Sequence, residues 1–149
     1  SLLRGAMRAR AETVARQSVL FEEFLEGELQ AGRATLPLGP GPATVALHPH
    51  CHQRAMGLAA AAAALLGRSP GAAVTDVDAG CCGMAGVFGM MAAKYELSLE
   101  IARPLIERIR SLPYGSLVVA SGASCRHQID HLASVRARHM AEVLADALE

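Results

Sequence analysis

The stretch A-T-V-A-L-H-P-H-C-H-Q, Ala43 to Gln53, reads as a short buried strand over Ala43 to Leu47 that Pro49 ends and a helix follows. The Gly- and Pro-rich segment around Leu36 to Pro42 bounds the strand on its amino side. An alanine-rich helix is expected from about His52 to near Gly67, which completes a strand-to-helix unit. Working outward, the pattern recurs. Ala72 to Val77 is a second strand candidate; it runs into G-C-C-G and then a helical pattern carried by Leu97, Ile101, Leu105, Ile109 and Leu112, with Pro104 as either a kink or a new start. Ser116 to Ala120, S-L-V-V-A, bounded by Gly115 and Gly122, is the clearest strand, followed by a helix-prone segment, Arg126 to Ala133, and a last helix over Arg138 to Leu148. Ahead of the first strand, Val14, Phe21, Leu25 and Leu29 fall at three-and-four spacing within Met7 to Leu29, the mark of one amphipathic helix. Strands alternating with helices predict an α/β layered domain with a short, mostly parallel sheet flanked by helices. The expected organisation is a single domain over 1–149, with a helical lead-in over 1–35 and an α/β core over 43–149.

Composition narrows the function classes. With 149 residues, 52% of them apolar, the chain holds enough for one ordinary core. Fourteen basic residues balance fourteen acidic ones and no basic run stands out, so the electrostatic footprint of a nucleic-acid or membrane-surface binder is missing. The most apolar stretch, Leu58 to Leu65, is far shorter than the roughly 20 residues of a membrane span. The chain starts at Ser1 with neither an initiator methionine nor a signal pattern, which leads to the expectation of a fragment of a larger protein, cytoplasmic by default. Four cysteines are too few for a disulfide scaffold in a chain of this size and read as ligands or redox groups.

Their placement is more telling than their number. Cys51 lies where the first strand gives way to a helix, Cys81 and Cys82 where the second strand ends, and Cys125 where the third strand feeds a helix. All four are thus predicted at the carboxyl ends of strands, and in a parallel open sheet those ends share the edge where such folds place ligands. Helix amino termini at that edge supply positive partial charge and free N–H groups that suit an anionic cluster. The spacing is C-x29-C-C-x42-C, with Gly80, Gly83, Gly86 and Gly89 around the vicinal pair. Such glycines let backbone approach a bulky group closely, and they serve equally for tight helix packing. Neither a phosphate-binding loop nor a dinucleotide fingerprint occurs.

Three motifs, H-P-H-C-H-Q (His48 to Gln53), D-A-G-C-C-G-M-A-G-V-F-G (Asp78 to Gly89) and S-G-A-S-C-R-H-Q-I (Ser121 to Ile129), closely resemble the cysteine-rich CCG domain of iron–sulfur oxidoreductases. That domain is found in heterodisulfide reductase, in the iron–sulfur subunit of glycolate oxidase and in related proteins. R-H-Q-I after the last cysteine and the L-F-E-E-F-L helix before the first strand look most like the carboxyl-terminal part of fused FAD-linked oxidase and iron–sulfur D-2-hydroxy-acid (D-lactate) dehydrogenases. The resemblance covers about residues 13–149. It implies an iron–sulfur cluster, most simply [4Fe–4S], held by Cys51, Cys81, Cys82 and Cys125, with FAD on another domain. It also implies that the partners are flavin and ferredoxin-like domains of the same or an associated chain, with a location peripheral to the inner membrane through those partners as an option. The family's fullest pattern ends in C-x-x-C; here Gly122 stands at the first of those positions, so four thiolates are on offer.

Several chemistries remain open at this level. Four thiolates suit an iron–sulfur cluster or, with tetrahedral geometry, a zinc ion. His50 and His52, on either side of Cys51, are candidate further ligands or proton-coupled neighbours. A Cys81 and Cys82 redox pair, or a Cys125 nucleophile assisted by His127, would make the chain a thiol module. Gln128 and His127 are equally at home as neighbours that satisfy polar groups near the site. Met84, Met90 and Met91 read as core filler, His131 and His139 as structural, and Arg4 to Arg10 as a solvated helix face.

Overall fold

The computed structural model describes residues 4–149. Three short strands form one sheet in the order β2-β1-β3, with β1 at Thr44–Leu47, β2 at Ala73–Asp76 and β3 at Leu117–Val119. Both pairings are parallel, Leu47 standing opposite Asp76 on one side and Val119 on the other. A parallel neighbour cannot be reached by a hairpin, so each connection must cross the sheet and come back to the same end. From β1 the chain crosses through α3 (Cys51–Ala55) and α4 (Ala59–Leu66), and from β2 through two 3-10 turns (Phe88–Met90 and Ala92–Lys94) and α5 (Tyr95–Arg110). After β3 come α6 (Ala123–Ala133) and α7 (Met140–Asp146). Between these helices Arg138 returns beside β3, its N–H donating to the Val118 carbonyl at 2.9 Å and its carbonyl accepting from Ala120 N–H at 2.9 Å.

The period-two alternation of β1 sends its side chains into two different cores. Val45 and Leu47 pack with Leu65, Leu66, Met140 and Leu144. Ala46 faces the other way, with Val118, Leu105, Ile129, Cys82 and Cys125. Complete burial of Leu105 and Ile129 is worth about 1.5–3 kcal/mol each relative to exposure. The cysteine-bearing loops therefore sit on the face covered by α5 and α6.

The expected α/β layering with a short parallel sheet is what the chain adopts. Two expected helices are each broken in two. Residues 1–3 of the helical lead-in lie outside the described residues; within the remainder, Met7 to Leu29 divides into α1 (Gly5–Gln17) and α2 (Phe21–Gln30), separated by extended backbone at Ser18 and Leu20. The Ser18 hydroxyl donates back to the Val14 carbonyl at 2.8 Å, a local bond that competes with helix continuation. Val14 and Phe21 are exposed, contrary to the apolar-face reading, whereas Glu22 and Glu26 turn inward beside Leu25 and Leu29. The inward face is polar because its partners are: Gln53 Nε2 donates to Glu22, and Arg68 grips Glu26 at 2.6 and 2.8 Å. The alanine-rich helix likewise starts at Cys51 and breaks at Gly57, whose φ of +73° is a left-handed conformation open to glycine. Pro104 lies inside α5 without ending it, on an exposed turn where water can serve the carbonyl left without its N–H.

The G-C-C-G loop is seated directly on the backbone of α5. A β-carbon on Gly83, whose φ is +82°, would lie 2.1 Å from the Ser98 carbonyl oxygen, and one on Gly89 would lie 2.4 Å from the Ser98 hydroxyl. Ser98 is fully buried, and its Oγ accepts from Gln128 Nε2 of α6 at 3.1 Å.

Gly83→Ala is therefore expected to destabilise the fold by about 2–4 kcal/mol in denaturant titration, through overpacking and left-handed strain together. Gly80→Ala, at φ +74° with open space around it, should cost only about 1 kcal/mol. The Arg68 guanidinium holds the Glu26 carboxyl below the ordinary carboxylate range. A lowered folded-state value contributes stability that is present above the unfolded value and is lost as pH falls through the folded one. Glu26→Gln should accordingly lower stability near neutrality by about 1 kcal/mol, screened by the solvent-facing guanidinium, and flatten the acid limb of the stability profile.

Candidate functional site

Each cysteine is set by a different local device. Cys51 opens α3, held there by His50 as the N-cap residue: His50 is extended (φ −70°, ψ 161°), and its Nδ1 accepts the Gln53 N–H at 3.3 Å. Cys81 and Cys82 lie in the loop between Gly80 and Gly83, both with positive φ, which turns two adjacent side chains toward one region. Cys125 sits in the first turn of α6, after Gly122 as N-cap, where the helix dipole favours a thiolate.

Separated by up to 74 positions in the sequence, the four cysteines line one cavity of about 270 Å³, together with His50 and His52. The sheet edge therefore brings together all the cysteines singled out in the sequence. Cys82 and Cys125 are buried, Cys81 is half-buried and Cys51 is exposed, so the cavity has a closed floor and an open mouth. None of the four is in a disulfide. Gly122 forms part of the wall, and the reason is steric: a β-carbon there would stand 3.0 Å from His50 Cβ and 3.1 Å from Cys125 Sγ.

Backbone donors point at the sulfurs. Gly83 N–H donates to Cys81 Sγ at 3.3 Å, and Met84 N–H donates to Cys82. A hydrogen bond from the Cys125 thiol, helped by the Met84 N–H against the opposing effect of burial, pulls Cys82 down to about 6, while the same pairing pushes Cys125 well up. Burial pushes Cys81 up to about 11 against the opposing Gly83 N–H. The floor of the cavity thus favours negative charge on sulfur at Cys82 first. Among the described residues no three His, Cys, Asp or Glu side chains gather in the arrangement of a single metal ion. The donor set, four thiols lining one cavity with backbone N–H groups directed at Cys81 and Cys82, suits a sulfur-rich group.

Beneath the site, His48 is fully buried with neither ring nitrogen partnered, and burial lowers it to about 4, so its imidazole is neutral. His127 lies on the exposed side of α6, lining a neighbouring cleft with Arg126 and Arg136 instead of the cysteine cavity. Met84 is core, whereas Met90 and Met91 are exposed. His139 caps α7, and His131 pairs with the Tyr95 hydroxyl at 3.2 Å.

Sequence reasoning missed the supports of the site. Ser98, the seat of the G-C-C-G loop, was signalled by a lone serine beside the apolar positions of α5, and Glu22 by a carboxylate among the apolar positions of α2. The role of Gly122 had no sequence signal beyond its position before Cys125.

Comparison with known proteins adds relatives to this geometry. One subunit of the anaerobic glycerol-3-phosphate dehydrogenase of Escherichia coli (strain K12) is 36% identical over 129 residues, 87% of this chain and 32% of that protein. D-2-hydroxyglutarate dehydrogenase of the same organism is 34% identical over 80 residues, 53% of this chain and 8% of that protein. The chain therefore spans about a third of the first relative's length and far less of the second's. No solved structure matches it significantly. The model of the CCG cysteine-rich domain matches residues 45–130. That match takes in more than half of the chain and every cysteine of the cavity, and the protein belongs to the CCG cysteine-rich domain family.

Proposed function

We propose that this chain is the iron–sulfur-binding, electron-transfer part of a flavin-linked oxidoreductase that acts on a D-2-hydroxy acid, such as D-lactate or glycolate, or a chemically similar alcohol. The observation that carries the reading is the convergence of Cys51, Cys81, Cys82 and Cys125 on one cavity. The names of the two relatives, dehydrogenases of glycerol-3-phosphate and D-2-hydroxyglutarate, support an oxidoreductase setting.

In this reading the four thiolates hold the cluster, most simply [4Fe–4S], which when bound accepts and passes on single electrons. The chain's own residues fix the sulfurs and set the electrostatics. Gly83 and Met84 N–H groups and the first turn of α6 stabilise negative charge on the sulfurs. Buried Cys82 and Cys125 keep water from the floor, and exposed Cys51 leaves one side open toward an electron partner. No acid or base in this chain is assigned to substrate chemistry, which falls to a flavin on another domain of the same or an associated chain. A cytoplasmic location, peripheral to the inner membrane through such partners, accords with this arrangement; no helix of the described residues is long and apolar enough to cross a membrane.

The first test is iron, acid-labile sulfide and zinc content of protein purified without oxygen, with its visible spectrum. Near-stoichiometric iron and sulfide is the expected result; zinc without sulfide would replace this reading with a structural site, and one rapidly alkylated thiol in metal-free protein would replace it with thiol chemistry. Cys82→Ser and Cys125→Ser should each abolish cofactor retention while leaving the helical circular dichroism largely intact. Wild-type cofactor content in either variant would overturn the ligand set.

A further inference from the structure

Two histidines flank Cys51 on the cavity wall, and the fold treats them differently. His52 is exposed. His50 is half-buried and tied down at both ends: its ring nitrogen Nδ1 caps α3, and its β-carbon rests in the space that Gly122 leaves by lacking one. A neutral imidazole has one donor nitrogen and one acceptor nitrogen. Only an unprotonated Nδ1 can accept the Gln53 N–H, so the proton resides on Nε2. Gln53 cannot easily yield, because it is fully buried and its side chain is hydrogen-bonded to Glu22.

We propose that His50 is a hydrogen-bond donor to the cofactor in the cysteine cavity, and not one of its ligands. The proposal rests on the iron–sulfur reading above and assigns a role to this residue within it. Ligation through Nε2 requires a free lone pair there and hence a proton on Nδ1. That proton would face the Gln53 N–H, replacing the cap of α3 with a donor-to-donor clash at the residue that opens with Cys51. With the cap intact, Nε2–H is the one polar group the ring has left for the cavity that His50 lines. The wall it occupies is shared with Cys125: His50 Cβ and Cys125 Sγ approach within 3.0 and 3.1 Å of the same point, the missing β-carbon of Gly122. His50 therefore stands on the side of the cavity where the Cys125 sulfur of α6 enters. A donor there stabilises the additional negative charge of the reduced state more than the oxidised state, so its effect is on potential.

The decisive variant is His50→Asn in the full chain, loaded anaerobically with iron and sulfide. Asparagine is a strong N-cap residue whose Oδ1 can replace Nδ1 as acceptor, and it has nothing in the place of Nε2–H. The variant should keep wild-type iron and sulfide content and helical signal, while its reduction equilibrium shifts about five- to tenfold toward the oxidised form, the scale of one ordinary net hydrogen bond. Independently of any variant, pulsed EPR of the loaded wild-type chain carrying nitrogen-15 histidine should show only the weak coupling of a hydrogen-bonded ring. A strong, directly bonded nitrogen coupling, or loss of iron from His50→Asn, would make His50 a ligand and overturn the proposal. An unchanged potential in that variant would make it a bystander and also overturn it. If the wild-type chain itself takes up neither iron nor sulfide, the iron–sulfur reading fails first, and this assignment goes with it.

Discussion

Parallel pairing on both sides of β1 is the constraint from which the site follows. Because neither β2 nor β3 can be reached from its predecessor by a tight turn, the chain must cross the sheet through helices, and the three strands point the same way. The segments that leave them start from one edge. Cys51, Cys81, Cys82 and Cys125 are each within a few residues of a strand end, and that alone gathers side chains separated by up to 74 positions. The strands are only three or four residues long, so the sheet serves less as a core in itself than as a jig for three loops.

Around that jig, small residues and buried polar groups do the fine positioning. Gly83 and Gly89 let the vicinal cysteine loop lie against the α5 backbone at Ser98, and Gly122 lets His50 and Cys125 crowd the same wall. On the far side of α3, Glu22 and Gln53 form a buried hydrogen bond that links the lead-in helix α2 to the residue whose N–H caps onto His50. A carboxylate at 3% exposure is costly unless it is partnered, so this link specifies where α2 docks more than it adds stability. The lead-in is thereby coupled to the cavity through α3, although none of its described residues lines the cavity wall.

The limits of the periodicity argument are visible at α2. Apolar spacing identified Leu25 and Leu29 as inward-facing but also named Val14 and Phe21, which are exposed, and passed over Glu22 and Glu26, which are buried. Periodicity registers apolar burial; it has no means of registering a carboxylate whose partner lies 31 positions away in Gln53, or 42 away in Arg68. The break at Ser18 to Leu20 was hidden for a related reason, since a hydroxyl bonding back to its own helix leaves the apolar spacing unchanged.

By itself the sequence determined the alternation of strands and helices, the α/β class and the cysteine positions at strand ends, because these depend on local hydrophobic period, on glycine and proline punctuation and on residue identity. Its three cysteine motifs also carried the family. Only the tertiary structure decided that the four thiols line one cavity, which of them are buried, that Gly122 is a clearance for His50 and Cys125, and that His50 Nδ1 accepts the Gln53 N–H. Those are properties of atoms brought within a few ångströms of each other by crossovers tens of residues long, and distances of that kind are set by packing across the sheet edge rather than by any local pattern along the chain.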